Sequence, residues 1–466
     1  MKYMFGKRTT KRRSADAGKQ TEAFNTSGRR MLLHTLLVLS VPTIIEEVLA
    51  TLLQYVDTAM VGQLGEQATA SVSITTNVTW LVNSIPGAVG TAMLVLISRA
   101  QGAGDMKQIK KLAQQAFLLS LAAGLILGTA SVLLSSRIPV WMGAEPAIQE
   151  TAARYFFIIS LPMIFRSTST IMGAALRAVQ NTRTPMLINV AANGSNIVLN
   201  YLFIYVLDYG VAGAAIASAV SYVLSGTLML LACRRNDLLC WEWRDVAPDL
   251  ALLKKCAAIG TPVLGTSMVS CLGYVVFASL ISGMGTTVFA AHSIAVTAET
   301  IFYVPGYGLR SAASTLISNA RGEGNVQKLR NVAKVSVALT IAMMCVSGLI
   351  LFVGASPLMR LFSPSEAVIA LGAQMLRLVA LSEPFFGLMV VLEGVFYGLG
   401  RTRYAFMVES IGMWGVRIFF TFLVVRVWGL DLRAVWYCMI ADNVCKAVLL
   451  ALPFAVRKMR QRLPAG

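Results

Sequence analysis

Three carboxylates, the doublet Glu46 and Glu47 and the lone Asp57, stand where ionisation is costly. Glu46 and Asp57 lie inside a mostly apolar run that opens near His34 and is long enough to cross a bilayer core of about 30 Å. Eleven residues of α-helix turn through about 1100°, some 20° past three full turns, so both acids share one face roughly 16 Å apart, with Gln54 on the same side. Ionisable groups at such depth pair with each other or mark an ion pathway. An acid there is suited to exchanging a proton or another cation. The plainer reading makes Asp57 an interfacial residue that merely ends the helix.

A second polar face follows in "TPMLINVAANGSNIVLNYLFIY". Asn189, Asn193, Asn196 and Asn200 are spaced 4, 3 and 4 apart, which places them within an arc of about 60°. Ordinary interhelical hydrogen bonding needs fewer amides than this. The stripe therefore reads as a cavity-lining or cation-coordinating face, because amide oxygens accept a cation without adding charge.

The second half carries its own polar residues. His292, Glu299 and Tyr303, spaced 7 and 4 apart, fall on one helix side. Packing or a hinge is the favoured role for His292, and a cavity role for Glu299. Glu383 and Glu393 are further cavity candidates, one of which is expected to neutralise Arg417. Asp442 and Lys446, four apart, read as an internal ion pair with a structural role.

Membrane-spanning helices must position these groups. Of 466 residues, 56% are hydrophobic and 13% charged, against roughly 25% charged in soluble domains. Twelve apolar segments begin near residues 34, 68, 112, 149, 184, 210, 251, 287, 330, 367, 404 and 430. The net charge of +18 would suit nucleic acid in a soluble chain, but its distribution argues otherwise. Loops after even-numbered segments and both tails hold 30 of the 40 Lys and Arg, and odd-numbered loops hold 4. That asymmetry places both termini in the cytoplasm of a multi-pass plasma-membrane protein, with no nucleic-acid partner. The basic stretch 1–30 reads as a disordered, lipid-touching tail without the apolar core of a signal peptide. The seven Cys are scattered without metal or disulfide spacing.

The chain is also duplicated. "VGQLGEQATASVSITTN" (61–77) aligns with "ISGMGTTVFAAHSIAVT" (281–297) at an offset of 220 residues, which is 285 minus 65. The same offset pairs Pro42 with Pro262, "LISRAQGAGD" with "LISNARGEGN", and Thr182 and Arg183 with Thr402 and Arg403. Each repeat holds an even number of helices, so the two enter the membrane in the same sense. The expected fold is all-α and integral to the membrane: twelve transmembrane helices in two six-helix lobes related by a pseudo-twofold axis normal to the membrane. The boundaries are a tail at 1–30, a first lobe at 31–235, a cytoplasmic linker at 236–250, a second lobe at 251–457 and a tail at 458–466. Pro42, Pro86, Pro262 and Pro305 fall inside the expected helices, where each loosens a turn. No Walker A loop, zincin helix or nucleophile elbow is present, so no enzyme and no cofactor is expected.

"QYVDTAMVGQLG", "NIVLNYLFIYVLDYGVAGAAIASAVS", "FAAHSIAV" and "GLGRTR" resemble the MATE family of multidrug and toxic-compound extrusion antiporters, in order and over nearly the whole chain. The resemblance implies export of organic, often cationic, compounds against protons or sodium ions, with rocking lobes and a bending first helix. It also implies that Asp57 is the cation-coupling aspartate and that Asn196 belongs to the same site. Asn200 stands where many members carry a second aspartate, and segment 251–283 lacks the acid that sodium-coupled members often place there. Those departures favour proton coupling, although one carboxylate with several neutral oxygens also holds sodium. The expected function is a monomeric antiporter for amphipathic organic cations. A lipid-linked oligosaccharide flippase ranks second, since its cavity would be rich in Arg and Lys whereas more acids than bases are expected in the cavity here, and a non-transporting membrane receptor or enzyme ranks third.

Overall fold

The computed structural model describes the backbone over residues 6–242 and 247–455, and the side chains over 30–242 and 247–454. Of the tail expected to be disordered, residues 6–29 are described in backbone only, as the start of the first helix, and the tail at 458–466 lies outside the described residues. The first helix runs Gly6–Gly62, and Arg30–Gly62 is its apolar span. Among the described residues, eight more single helices are long and apolar enough to cross a membrane: Glu66–Gly102, Met106–Leu134, Arg183–Val206, Gly210–Arg235, Leu250–Ser282, Val326–Phe362, Thr402–Val427 and Leu432–Phe454. Three bent pairs complete twelve spans: Pro146–Ser160 with Met163–Ala178, Thr286–Tyr303 with Pro305–Gly322, and Glu366–Ala380 with Glu383–Gly398. Numbered in chain order, these are spans 1 to 12.

Bends follow the prolines unevenly. Pro42, Pro86 and Pro262 sit inside continuous helices, whereas Pro305 opens the second half of span 8 after a 41° bend. Without an N–H, and with its ring crowding the preceding turn, proline fits a helix start better than a helix interior. Spans 4 and 10 bend by 51° and 55° at breaks the sequence reading did not anticipate.

The repeat is visible in hydrogen bonds and dihedrals. Ser98 Oγ donates to Ala178 O at 2.9 Å, and Ser318 Oγ donates to Gly398 O at 3.0 Å. Asp105 caps span 3 by accepting from Gln108 N at 2.9 Å, and Asn325 caps span 9 by accepting from Lys328 N at 2.8 Å. Gly65 and Gly285 have φ of 106° and 115°. All of these pairs are 220 residues apart. One difference is built in: span 11 contains a π-helix over Ile411–Ile418, which takes in an extra residue. Beyond it the offset becomes 221, as the π-turns Leu202–Val206 and Leu423–Val427 show.

Packing does not respect the repeat boundary. Leu36 and Leu39 of span 1 are buried with Leu309, Leu316 and Val395 of the second repeat, and Thr43 Oγ1 donates to Gly308 O at 3.1 Å. Reciprocally, Leu252, Cys256 and Ile259 of span 7 are buried with Val95, Ile97 and Leu176 of the first. The first helix of each unit therefore crosses the seam. Spans 2 and 8 also meet there at one end, where a Cβ on Gly102 would lie 2.0 Å from Asn319 O and one on Gly322 would lie 2.0 Å from Arg99 O. Only glycine permits that backbone approach, as at other close helix crossings in membranes. This end, where the basic even-numbered loops gather, is closed.

The described parts of the linker, residues 236–242 and 247–250, are pinned rather than loose. Leu239 and Trp241 are buried, Gln115 Nε2 donates to Ala247 O at 2.7 Å, and Gln115 Oε1 accepts from Asp249 N at 3.0 Å. Lys111 Nζ lies 2.5 Å from Asp249 Oδ2. That ammonium, first through its hydrogen bond, together with the N–H of Leu252, holds the Asp249 carboxyl below its ordinary range.

Candidate functional site

The apolar sides of spans 1, 5 and 6 pack outward, leaving their polar faces turned inward. Asp57 and Glu46 consequently stand in one cavity of 280 Å³, lined also by Arg166, Arg177, Asn189, Asn193, Asn196 and Ser218. A second cavity of 320 Å³ continues past Asp57 to Gln54, Tyr155 and Asn200. The asparagine stripe faces inward as its spacing requires: Asn196 and Asn200 are buried, and all four residues line one cavity or the other.

The two acids have unlike partners. Glu46 is held by Arg177 Nη1, which donates to Oε1 at 3.1 Å, and by Asn189 Nδ2 at 2.6 Å. Asn189 Oδ1 in turn accepts from Ser225 Oγ at 2.9 Å. Asp57 receives neutral donors. Asn200 Nδ2 donates to Asp57 Oδ1 at 2.6 Å and to Asn196 Oδ1 at 3.0 Å. Exchanging the oxygen and nitrogen of the Asn196 amide lets it donate to Asp57 Oδ1 at 3.0 Å and accept from Ser218 N at 3.2 Å.

The corresponding face of the second lobe is charged. Arg417 Nε donates to Asp442 Oδ2 at 2.9 Å, and Lys446 Nζ lies 3.0 Å from that oxygen and 3.0 Å from Glu409 Oε2. Ser270 Oγ closes the chain by donating to Glu409 Oε1 at 2.6 Å. The expected Asp442–Lys446 pair is present within this larger network. The expectation that Glu383 or Glu393 neutralises Arg417 is corrected. Asp442, on the next span, takes that position, while Glu393 accepts from Arg310 Nη1 at 2.9 Å and is hydrogen-bonded by Tyr397.

Between the lobes lies a cavity of 630 Å³. Its walls include the rings of Trp80, Tyr274, Tyr307 and Phe386, the acids Glu47, Glu393 and Glu409, and the bases Arg310, Arg417 and Lys446. The bases do not stand free: Arg310 is tied to Glu393, Lys446 to Glu409, and Arg417 to Asp442. Acids and bases on the wall are thus equal in number, which corrects the expected excess of acids. The excess returns only when buried Asp442 behind the wall is included.

Other residues singled out from the sequence sit elsewhere. His292 is buried edge-on between Phe277 and Trp436, with ring centroids 5.6 and 5.8 Å away, in keeping with its packing role. Glu299 and Glu383 are buried inside the second lobe and line none of these cavities, so their expected place on the wall is corrected. Tyr303 packs on Phe386 at 5.2 Å, just beyond the cavity. Arg177, Arg310 and Glu409 were missed, and Glu47 was noted in the apolar run without a role of its own. For Glu409 a signal existed, because the offset of 220 sets it on Asn189.

A family model described as MatE matches twice, over residues 42–202 and 262–423. The chain belongs to the MatE family. The two MatE matches coincide with the two repeats, and their ends move from an offset of 220 to 221, as the π-helix requires. A probable multidrug resistance protein NorM of Thermotoga maritima is 27% identical over 434 residues, covering 92% of this chain and 93% of that protein. Multidrug and toxin extrusion protein 1 of Oryctolagus cuniculus is 25% identical over 395 residues, covering 82% and 68%. Among solved structures, the outward-facing conformation of a multidrug resistance MATE family transporter superposes with a TM-score of 0.88 at 22% identity, covering 93% of this chain and 97% of that one. A MOP superfamily transporter from Pyrococcus furiosus superposes at 0.86 and 22% identity, covering 92% and 97%. The twelve-helix, two-lobe fold is therefore that of MatE transporters, and as a member of a family of efflux transporters the chain is not an enzyme.

Proposed function

We propose that this chain exports amphipathic organic cations in exchange for protons, carrying both through alternating access of its cavities. The observation that carries the reading is the contrast at span 1: Glu46 is committed to Arg177, whereas Asp57 faces a cavity with neutral amide donors. A carboxylate with neutral partners changes charge without breaking an ion pair. Its nearest donors are N–H groups, which suit a carboxylate that gains and loses a proton better than the oxygen cage a sodium ion needs. Asn196 and Asn200 tune that exchange.

The central cavity supports the substrate class. Aromatic walls and Glu47 receive a flat or amphipathic cation, while the bases are engaged by acids and offer little to a phosphate-bearing lipid, which ranks the flippase reading lower. The relatives' names as multidrug resistance proteins agree with this. The positive-inside asymmetry supports a cytoplasmic position for the basic, closed end and both termini of a plasma-membrane protein, and with it cavities that open outward. A monomer is the proposed working unit. Efflux of a fluorescent organic cation from proteoliposomes tests the proposal, with a pH gradient and a sodium gradient imposed separately. The pH gradient alone should drive efflux; efflux driven only by sodium, or by neither gradient, would overturn it.

A further inference from the structure

The closed basic end contains a chamber that the transport reading does not use. It measures 590 Å³ and lies beside the Gly102 and Gly322 crossing, with Arg99, Arg321, Arg401 and Lys255 on its walls. Arg99 and Arg321 end spans 2 and 8, Arg401 precedes span 11, and Lys255 lies in the first turns of span 7. Gly400, at φ +67°, carries the loop between the first two: a Cβ there would lie 3.0 Å from Arg99 Nη2 and 3.4 Å from Arg321 Nη1. Two guanidinium groups thus converge on one peptide. Nε and Nη2 of Arg99 are sealed from solvent and have no hydrogen-bond partner. The carboxylate on the wall, Glu323, is already 2.5 Å from Lys328 Nζ.

The positive-inside rule explains basic loops facing water or headgroups. It does not explain cations drawn into a seam between lobes with buried donors unsatisfied, which costs free energy. A tetrahedral dianion resolves this, because guanidinium groups donate in pairs to phosphate oxygens. We propose that this chamber binds a phosphate group, borne by a lipid headgroup or by a soluble phosphate, and that the bound anion holds the basic end closed. Arg99 comes from the first repeat and Arg321, Arg401 and Lys255 from the second, so the ligand bridges the seam only while spans 2 and 8 are in contact. A ligand that meets all four groups in one conformation shifts the population toward it. The inference stands on the seam and is independent of which ion drives transport.

The test uses the purified full chain. Its melting temperature is followed against inorganic phosphate in detergent, with chloride holding ionic strength constant, and in nanodiscs of phosphatidylcholine with and without phosphatidic acid. A saturable rise with phosphate assigns a soluble source, and a rise with phosphatidic acid alone assigns the headgroup. The double variant Arg321→Gln, Arg401→Gln should weaken the response by about a hundredfold in ligand concentration, and Arg321→Lys by about tenfold or less. Amide exchange over residues 99–105 and 319–325 of the unmodified chain should slow when the probe is present, a readout that stands even if the double variant fails to fold. No rise above the chloride control with either probe, an undiminished response in the double variant, or unchanged exchange in both segments would overturn the proposal.

Discussion

The two lobes are copies with their polar faces exchanged. Across the repeat, Asn189 stands opposite Glu409, Asn196 opposite Arg417, Ser221 opposite Asp442 and Ser225 opposite Lys446. In the other direction, Asp57 of the first lobe faces the position of Phe277, and Glu46 that of Thr266. Where one copy has neutral amides and hydroxyls, the other has two acids and two bases that satisfy one another. The difference shows how duplication divides work. The second lobe's charges are paired with one another, while the first lobe keeps one carboxylate, Asp57, among neutral partners, as the proposed ion exchange requires.

The sharpest way to break this contrast is Asp57→Asn. Gradient-driven efflux should fall to the level of protein-free liposomes while the melting temperature holds or rises, because the amide removes the cost of a carboxylate in the membrane and with it the differential ion affinity that drives the cycle. Glu46→Gln, on the same helix face, should retain gradient-driven efflux. Normal efflux in the Asp57 variant would end the coupling role.

Next in size is Lys446→Met. Removing one partner of a buried charge network leaves Glu409 and Asp442 short of a cation and should cost about 3–5 kcal/mol of stability. Adding Glu409→Gln should recover part of that loss. Thermal unfolding in detergent reads both, and a silent single variant would show that the second lobe's charges are not structural.

A smaller effect is expected from Asn200→Ala. It deletes the 2.6 Å hydrogen bond to Asp57, worth about 1.5 kcal/mol or more for a charged acceptor, and should change the apparent affinity for the coupling ion about tenfold without abolishing transport. The concentration dependence of efflux on the driving ion checks this.

Smallest is Asp249→Asn at the linker. The folded-state carboxyl is depressed by Lys111 and backbone N–H groups, so its contribution is present above the ordinary aspartate value of 3.8 and is lost as pH falls through the lower folded value. The difference in melting temperature between the variant and the parent chain should therefore be small at pH 7 and vanish as the medium is acidified below that range.

Much of this was legible in the chain itself. Apolar length fixed the spans, since only a helix satisfies its own backbone in hydrocarbon. The offset between Gly65 and Gly285 fixed the duplication and the shared orientation of its halves, and the 4, 3, 4 spacing of Asn189 to Asn200 fixed a polar face that burial in lipid would not tolerate. What the sequence could not decide was which polar group meets which. Glu46 and Asp57 look alike on a helical wheel, and only the approach of Arg177 from span 4 separates a committed acid from an available one. Glu383 and Glu393 of span 10 were the candidate acids for Arg417, and the packing of span 12 beside the π-helix of span 11 selected Asp442 instead. The crossing of spans 1 and 7 into the opposite repeat was equally invisible, because an apolar face records that it must be buried but not against what. Local periodicity is a property of consecutive residues; partnership between groups more than a hundred residues apart, such as Glu46 with Arg177, belongs to tertiary packing alone.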